Sequence, residues 1–136
     1  MNKNIIDTGF NKLIKSRHGF LSYNKNDIYI GKSIEKYGEF SHLEAKLFEQ
    51  ICKDKDVVIE VGANIGAHTI YLSKLVGNGF VIAYEPQRLI FQNLCANLAI
   101  NSISNVYAYQ EAVSNENGTI IIPECNFKEN NNFGGI

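Results

Sequence analysis

VVIEVGANIG, residues 57–66, decides the fold, because an apolar run meets a glycine-rich turn there. The run 57–61 is interrupted by a single acid, which is typical of a strand covered on both faces in a parallel sheet. Residues 62–66 then turn the chain into a helix predicted over about 67–76, which the glycines after it bring to an end. This strand–turn–helix unit predicts the first half of a βαβ motif.

The same pattern continues downstream. FVIAYE (80–85) predicts a second strand, residues 88–100 a second helix, NVYAYQ (105–110) a third strand and TIIIP (119–123) a short fourth one. Alternating strands and helices predict a right-handed parallel sheet. We therefore expect an α/β fold with a doubly wound, Rossmann-like parallel sheet whose three main strands are neighbours, with 57–61 innermost.

The N-terminal part predicts a smaller unit. Residues 17–23 and 27–31, separated by three polar residues, predict a β-hairpin. Ser41 followed by Glu44 forms a capping box, which predicts a helix that ends near Cys52. The apolar positions of this helix fall at helical spacing and are Leu43, Leu47, Phe48 and Ile51.

Length and composition predict one domain. A chain of 136 residues can build a single hydrophobic core, and 45% apolar with 20% charged residues is ordinary for a globular protein. We expect residues 1–53 to hold the hairpin and the lead-in helix, and residues 54–136 to form the α/β core. The net charge of −1 and the scattered Lys and Arg residues argue against a broad nucleic-acid surface.

Targeting and metal signals are weak. The longest apolar runs fall short of the roughly 18 residues of a membrane span, and the N-terminus lacks the apolar stretch of a secretory signal. The three histidines and three cysteines lack the short spacing of a zinc site. The cysteines predict small buried side chains in a reducing cytosol, so we expect a cytoplasmic protein; they are Cys52, Cys95 and Cys125.

The first candidate site is the turn that follows strand 57–61, since ligands of parallel α/β sheets bind beyond the carboxyl ends of the strands. Gly62 lets a ligand approach the main chain, and Gly66 lets the helix pack closely on the strand. A dinucleotide fingerprint would place its next two glycines at Asn64 and Ala67, so the pattern is wrong for a pyrophosphate.

A different ligand fits the turn better. S-adenosylmethionine carries an ammonium, a carboxylate and a sulfonium. Glu60, two residues before Gly62, would favour the ammonium, and free backbone amides of the turn would receive the carboxylate. His68 and Thr69, in the first helical turn, would approach the methionine tail or simply bond to backbone amides. A tight turn that binds no ligand is the alternative.

Two further strand ends carry polar groups. Glu85 ends the second strand before a proline, and its two oxygens can accept hydrogen bonds from both ribose hydroxyls. The third strand ends at Gln110–Val113, where polar groups would meet the adenine edge and Val113 or Tyr84 its face. This last signal is weaker because most strand ends turn polar.

With these residues placed, the chain resembles the FkbM-like methyltransferases over nearly its whole length. The resemblance rests on five stretches: YGEFSHLEAKLFEQI (37–51), VIEVGANIGAHTIYLSKLVG (58–77), VIAYEPQRLIFQNLCANLAIN (81–101), EAVSNENG (111–118) and NFGGI (132–136). The combination of GAN-x-G, AYEPQ and L-x-x-N at these spacings is much more specific than the glycines alone.

The resemblance implies methyl transfer from S-adenosylmethionine to a hydroxyl of a sugar, a polyketide or another small molecule. Carried over by position, the residues of the cofactor site are Glu60, Gly62, Asn64 and Gly66 on the methionine side, Glu85 at the ribose, and Glu111 and Ala112 at the adenine. The family continues into further strands and an acidic segment near the substrate, which this sequence lacks, so the sequence names no general base.

From this departure we expect residues 1–136 to be a C-terminally truncated part of such a domain, inactive alone and able to self-associate through the open edge of strand 57–61. Two other functions stay open. One is a nicotinamide-dependent oxidoreductase, which Asn64 and Ala67 oppose, and the other is a cofactor-binding module without catalysis.

Overall fold

A computed structural model describes residues 4–135, which form two small sheets and four helices. In chain order the elements are β1 (Asn4–Thr8), β2 (Asn11–Lys15), β3 (Phe20–Asn24), α1 (Ile30–Tyr37), α2 (His42–Ile51), β4 (Val57–Val61), α3 (Thr69–Val76), β5 (Phe80–Tyr84), α4 (Arg88–Ile100), β6 (Val106–Tyr109) and a short 3₁₀ helix, Phe133–Gly135. Across residues 4–135 no helix is long and apolar enough to span a bilayer.

The parallel sheet is confirmed. β4 pairs with β5 and β5 with β6, both in parallel, and the order of the strands is β4–β5–β6. Helices α3 and α4 pack on one face of this sheet, where Val81, Ala83 and Leu94 are buried. The expectation that 57–61 would be innermost is wrong for the described residues, because no strand among them pairs with the outer edge of β4.

The prediction that the sheet is covered on both faces is also wrong for the described residues. Along β4 the burial alternates, so that Val58 and Glu60 are partly buried while Val57, Ile59 and Val61 are exposed. The apolar run therefore lies on a sheet that the described residues cover on one face only. The predicted fourth strand, 119–123, has no regular structure and is exposed except at Ile122, which is partly buried.

The N-terminal sheet corrects the predicted hairpin. Residues 17–23 contribute to β3, which pairs antiparallel with β2, but residues 27–31 form no strand. The carboxylate of Asp27 accepts hydrogen bonds from the backbone N–H groups of Tyr29 and Ile30, which starts α1 at this point. A polar side chain that satisfies the first amides of a helix favours the helix over a strand.

The second edge of β3 is bound by side chains of α4 and of the residue that caps its C-terminus, instead of by a strand. Asn97 accepts a hydrogen bond from the Ser22 backbone N–H at 2.7 Å and donates one to the Ser22 carbonyl at 2.9 Å. Asn101 bonds to the backbone N–H and carbonyl of Phe20 in the same way. These asparagines fix the N-terminal sheet against α4.

The lead-in helix forms as predicted, but its capping box does not. Ser41 has φ +52° and makes no side-chain cap. Of the apolar positions at helical spacing, Phe48 is partly buried, whereas Leu43 is 81% exposed and Leu47 and Ile51 are half exposed. The predicted capping box was therefore wrong, although the predicted helix is confirmed.

The cysteines depart from the expected burial. Cys95, which was predicted to be buried, is exposed, and Cys52 and Cys125 are half-buried. The buried side of α4 is formed by Ile90, Leu94, Asn97 and Leu98. All three cysteines are free thiols.

Candidate functional site

The glycine-rich turn at the end of β4 has the open conformation that a ligand needs. Gly62 has φ +75°, and no atom lies within 4 Å of the position that a Cβ would occupy. Gly66 has φ +85°, and a Cβ there would lie 2.7 Å from Leu94 Cδ1. Gly62 thus leaves the main chain accessible, while Gly66 permits close packing against α4.

The turn does not offer the free amides that the sequence suggested. The N–H groups of Gly62 and Ala63 both donate to the Tyr84 carbonyl at 2.9 Å, and that of Gly66 donates to Ala63. The Ile65 N–H donates to the side-chain oxygen of Asn64 at 2.8 Å, and the Asn64 N–H donates to Glu85. Backbone amides 62–66 therefore hold the turn together, and the expectation that they receive a carboxylate is wrong.

Glu60 lies on the covered face of β4, under the start of α3. The Thr69 hydroxyl donates a hydrogen bond to its carboxylate at 2.7 Å. Burial raises the pKa of Glu60 to about 7, and the hydrogen bond from Thr69 opposes this only in part. Near neutral pH this carboxyl group therefore exchanges between its acid and its anion.

His68 turns away from the helix start and toward the lead-in segment. Its Nε2 lies 3.2 Å from the carbonyl oxygen of Phe40, and its ring packs between those of Phe40 and Phe48. The carboxylate of Glu44 lies 3.6 Å from the same nitrogen. Neither His68 nor Thr69 bonds to a backbone amide in the way the simpler alternative predicted.

Glu85 connects the first two strand ends. It is 3% exposed, and its two oxygens accept hydrogen bonds from the Asn64 N–H at 3.0 Å and the Gln87 N–H at 2.8 Å. Burial raises the pKa of this carboxyl group, while the donors at Gln87 and Asn64 lower it. Each oxygen keeps a lone pair for one further donor.

The third strand end lies farther out. Glu111, Ala112 and Val113 are exposed and border a cleft of about 700 Å³ that Tyr84 also lines. The Tyr84 ring stacks on that of Tyr109 at 5.5 Å. The structure thus brings Gly62, Asn64 and Glu85 directly together and leaves the predicted adenine-side residues at the rim of an adjoining cleft.

Sequence reasoning missed a segment that closes over this region. Residues 125–135, here called the C-terminal strap, return to the core and bury the ring of Phe133 completely. The Gln87 side chain donates to the Phe133 carbonyl at 2.6 Å. A Cβ on Gly134 would lie 2.9 Å from the side-chain nitrogen of Asn64. The similarity of NFGGI to a family loop was the only signal for this packing.

The strap is also fixed to the N-terminal unit. Asn131 forms backbone hydrogen bonds of 3.0 Å with both Asn26 and Ile28, and the side chains of Asn24 and Asn26 donate to the Phe127 carbonyl. Through the strap, these contacts connect the turn after β3 to Gly134, which lies beside Asn64.

Comparison with known proteins agrees with this fold. No protein-family model matches the chain. It is 24% identical over 101 residues to Methyltransferase 1 of Beauveria bassiana, over 70% of this chain and 40% of that protein. It is 33% identical over 64 residues to Methyltransferase sdnD of Sordaria araneosa, over 46% of this chain and 25% of that protein.

Among solved structures, TYW2 of M. jannaschii in complex with AdoMet aligns with a TM-score of 0.56 at 23% identity, over 78% of this chain and 45% of that one. The chain therefore spans less than half the length of each of these proteins. Its fold is the Rossmann-like α/β fold of this AdoMet-bound structure.

Proposed function

We propose that this chain is the cofactor-binding part of an S-adenosylmethionine-dependent methyltransferase of the FkbM-like type. The observation that carries the proposal is Glu85, a buried carboxylate at the end of β5 that bonds to the glycine-rich turn at Asn64. Gly62 supplies an open approach to the main chain on the same side of the sheet. The named methyltransferases among its relatives support the same activity.

In this proposal the cofactor lies across the carboxyl ends of the three parallel strands. Glu85 would bind the ribose through its remaining lone pairs. The methionine side would be held by Glu60, Gly62, Asn64 and Gly66, and the adenine by Glu111 and Ala112. Because amides 62–66 already have acceptors, the cofactor carboxylate must find other donors than these.

When bound, S-adenosylmethionine would supply an activated methyl group on its sulfonium. The residues of this chain would bind and orient it, and alignment accounts for most of the rate in such displacements. Glu60 would hold the positively charged ammonium end in place, and Glu85 the hydroxyl-bearing ribose. A polar wall on the acceptor side would complete the site, and no residue of this chain is assigned there as a base.

The acceptor in this proposal is a hydroxyl of a sugar, a polyketide or another small molecule, and the compartment is the cytoplasm. The scattered basic residues support a small acceptor rather than a nucleic acid. Free thiols at all three cysteines fit a reducing compartment.

Glu85→Ala tests the proposal directly. We expect the variant to bind S-adenosylmethionine about 2–3 kcal/mol more weakly than the unchanged chain, because charge-assisted hydrogen bonds of this kind are lost. Isothermal titration calorimetry measures the affinity, and circular dichroism checks that the variant is folded. Glu35→Ala, at an exposed carboxylate on α1, is the control and should leave the affinity unchanged.

A parallel titration with a nicotinamide dinucleotide separates the alternatives. Binding of the dinucleotide and none of S-adenosylmethionine would refute the proposed function. Equal affinity of the Glu85→Ala variant and the unchanged chain for S-adenosylmethionine would remove Glu85 from the site.

Asn64→Ala should have a smaller effect on cofactor affinity, below about 1 kcal/mol. Asn64 has φ +52° and its side-chain oxygen accepts the Ile65 N–H, so it shapes the turn without carrying charge. The same calorimetric titration measures this. A loss as large as that of Glu85→Ala would instead mean that the Asn64 side chain contacts the cofactor.

A further inference from the structure

The L-x-x-N pattern occurs twice in succession at the end of α4, in residues 94–97 and 98–101, and the proposed function leaves both copies unused. Asn97 and Asn101 hold β3 in the same way, since each accepts a hydrogen bond from a backbone N–H of that strand and donates one to the carbonyl of the same residue. Asn97 is completely buried, whereas Asn101 is partly buried. The two copies therefore share their contacts with β3 and differ in what else surrounds them.

The first copy also reaches the glycine-rich turn. Asn97 donates a further hydrogen bond from its side-chain nitrogen to the Ile65 carbonyl at 2.8 Å. One helical turn earlier, Leu94 Cδ1 lies 2.7 Å from the position that a Cβ on Gly66 would occupy. Residues three apart on a helix share a face, so this copy presents an apolar contact and a hydrogen-bond donor to successive residues of the turn. Asn101 instead donates to the Asn97 carbonyl of its own helix at 2.7 Å.

Ile65 is fixed to the N-terminal sheet through its side chain as well. The side chain is 3% exposed and belongs to one apolar cluster with Leu21 and Tyr23 of β3. A buried carbonyl needs a donor, so the loss of Asn97 would favour other conformations of the turn. The neighbouring Asn64 has φ +52°, a conformation that persists only when the surrounding contacts support it.

We propose that Asn97 is a positioning residue, through which β3 fixes the conformation of the glycine-rich turn and so sets the affinity of the turn for the cofactor. One amide side chain joins the two segments, because it accepts the Ser22 N–H at 2.7 Å and donates to the Ile65 carbonyl at 2.8 Å. Asn97 does not touch the cofactor and acts through Ile65 and its neighbours Asn64 and Gly66. The inference rests on the proposed function, since S-adenosylmethionine is taken as the ligand of the turn.

Hydrogen exchange of the unliganded chain, followed by NMR, compares Asn97→Ala with the matched control Asn101→Ala. Both variants lose the same pair of bonds to β3, but Asn97→Ala also removes the donor to the Ile65 carbonyl. Amides of β5 serve as the internal reference, because they report the opening of the core. Relative to β5, we expect amides 62–66 to exchange about tenfold faster in Asn97→Ala, the scale of one buried hydrogen bond. In Asn101→Ala the turn and β5 should change by the same factor.

Calorimetric titration with S-adenosylmethionine gives the second readout. Asn97→Ala should raise the dissociation constant about tenfold relative to Asn101→Ala. Equal dissociation constants of the two variants would overturn the proposal, and so would equal acceleration of exchange in the turn and in β5 of Asn97→Ala. If the unchanged chain did not bind S-adenosylmethionine, the proposed function would fail. The exchange measurement needs no cofactor and would still decide whether Asn97 positions the turn.

Circular dichroism identifies a variant that fails to fold. In that case, hydrogen exchange of the unchanged chain in increasing, sub-denaturing urea takes its place. The Ser22 N–H, which Asn97 accepts, and the amides of residues 62–66 should then open together, with the same free energy and the same dependence on urea. Turn amides that open at lower urea than the Ser22 N–H would show that the turn is independent of Asn97 and would overturn the proposal.

Discussion

Phe133→Ala is expected to lower the free energy of unfolding by about 3–5 kcal/mol, the range for removing a fully buried phenylalanine. The ring is 0% exposed and stacks on Phe127 at 4.7 Å. It belongs to one apolar cluster with Ile30 of α1, Ile65 of the glycine-rich turn and Ile90 of α4. Its loss would therefore leave a cavity where the N-terminal unit, the turn and the core meet.

Urea unfolding at a single protein concentration measures this loss. Phe133→Leu, which keeps most of the volume, should cost less than about 1.5 kcal/mol. Tyr37→Ala, at a ring that is 59% exposed, is the surface control and should cost less than about 1 kcal/mol. If Phe133→Ala behaved like Tyr37→Ala, the C-terminal strap would not be packed on the core.

Glu60→Gln is expected to stabilise the protein by about 3 kcal/mol at pH 8.5 and to change stability little at pH 4. In the folded state burial raises the pKa of Glu60 from 4.5 to about 7. The folded chain then holds this proton while the unfolded chain releases it, so stability decreases as the pH rises from about 4.5 to 7. Glutamine is neutral at every pH and can still accept the Thr69 hydroxyl.

Urea unfolding at pH 4 and pH 8.5 tests the sign and the size of the effect. Glu124→Gln replaces an exposed carboxylate and should change stability by less than about 0.5 kcal/mol at either pH. If Glu60→Gln changed the free energy of unfolding by the same amount at both pH values, the carboxyl group would not be buried under α3.

The same carboxyl group matters for the proposed cofactor. The ionised form of Glu60 attracts an ammonium, whereas burial favours the neutral form. A bound cation would compensate the cost of ionising Glu60 under α3. If the proposed function holds, cofactor affinity therefore rises with pH up to about 7, as Glu60 becomes ionised in the free protein.

Local pattern predicted the parallel part of the fold because each unit is specified by residues close in sequence. The apolar runs of β4, β5 and β6 and the turn with Gly62 define their strands and turns through backbone geometry alone. Of the candidate site, the pairing of Gly62, Asn64 and Glu85 at adjacent strand ends follows from this topology.

Contacts between distant segments were beyond the reach of such patterns. Residues 27–31 carry a short run of apolar side chains, yet the carboxylate of Asp27 and the binding of Asn97 to the edge of β3 make α1 the more stable choice. Likewise, the strap closes on Asn64 from 70 residues away. These outcomes depend on which groups meet in space, and local propensity contains no information on that.

The sequence by itself determined the order β4–α3–β5–α4–β6, the glycine-rich turn and the acid at the end of β5, because these depend on side-chain size, periodicity and backbone freedom over a few residues. Only the tertiary structure decided which apolar face is covered, which acceptors the backbone amides of residues 62–66 bind and how far Glu60 is buried. Hydrogen-bond satisfaction and burial are properties of the packed chain, since each depends on every segment that reaches the same point.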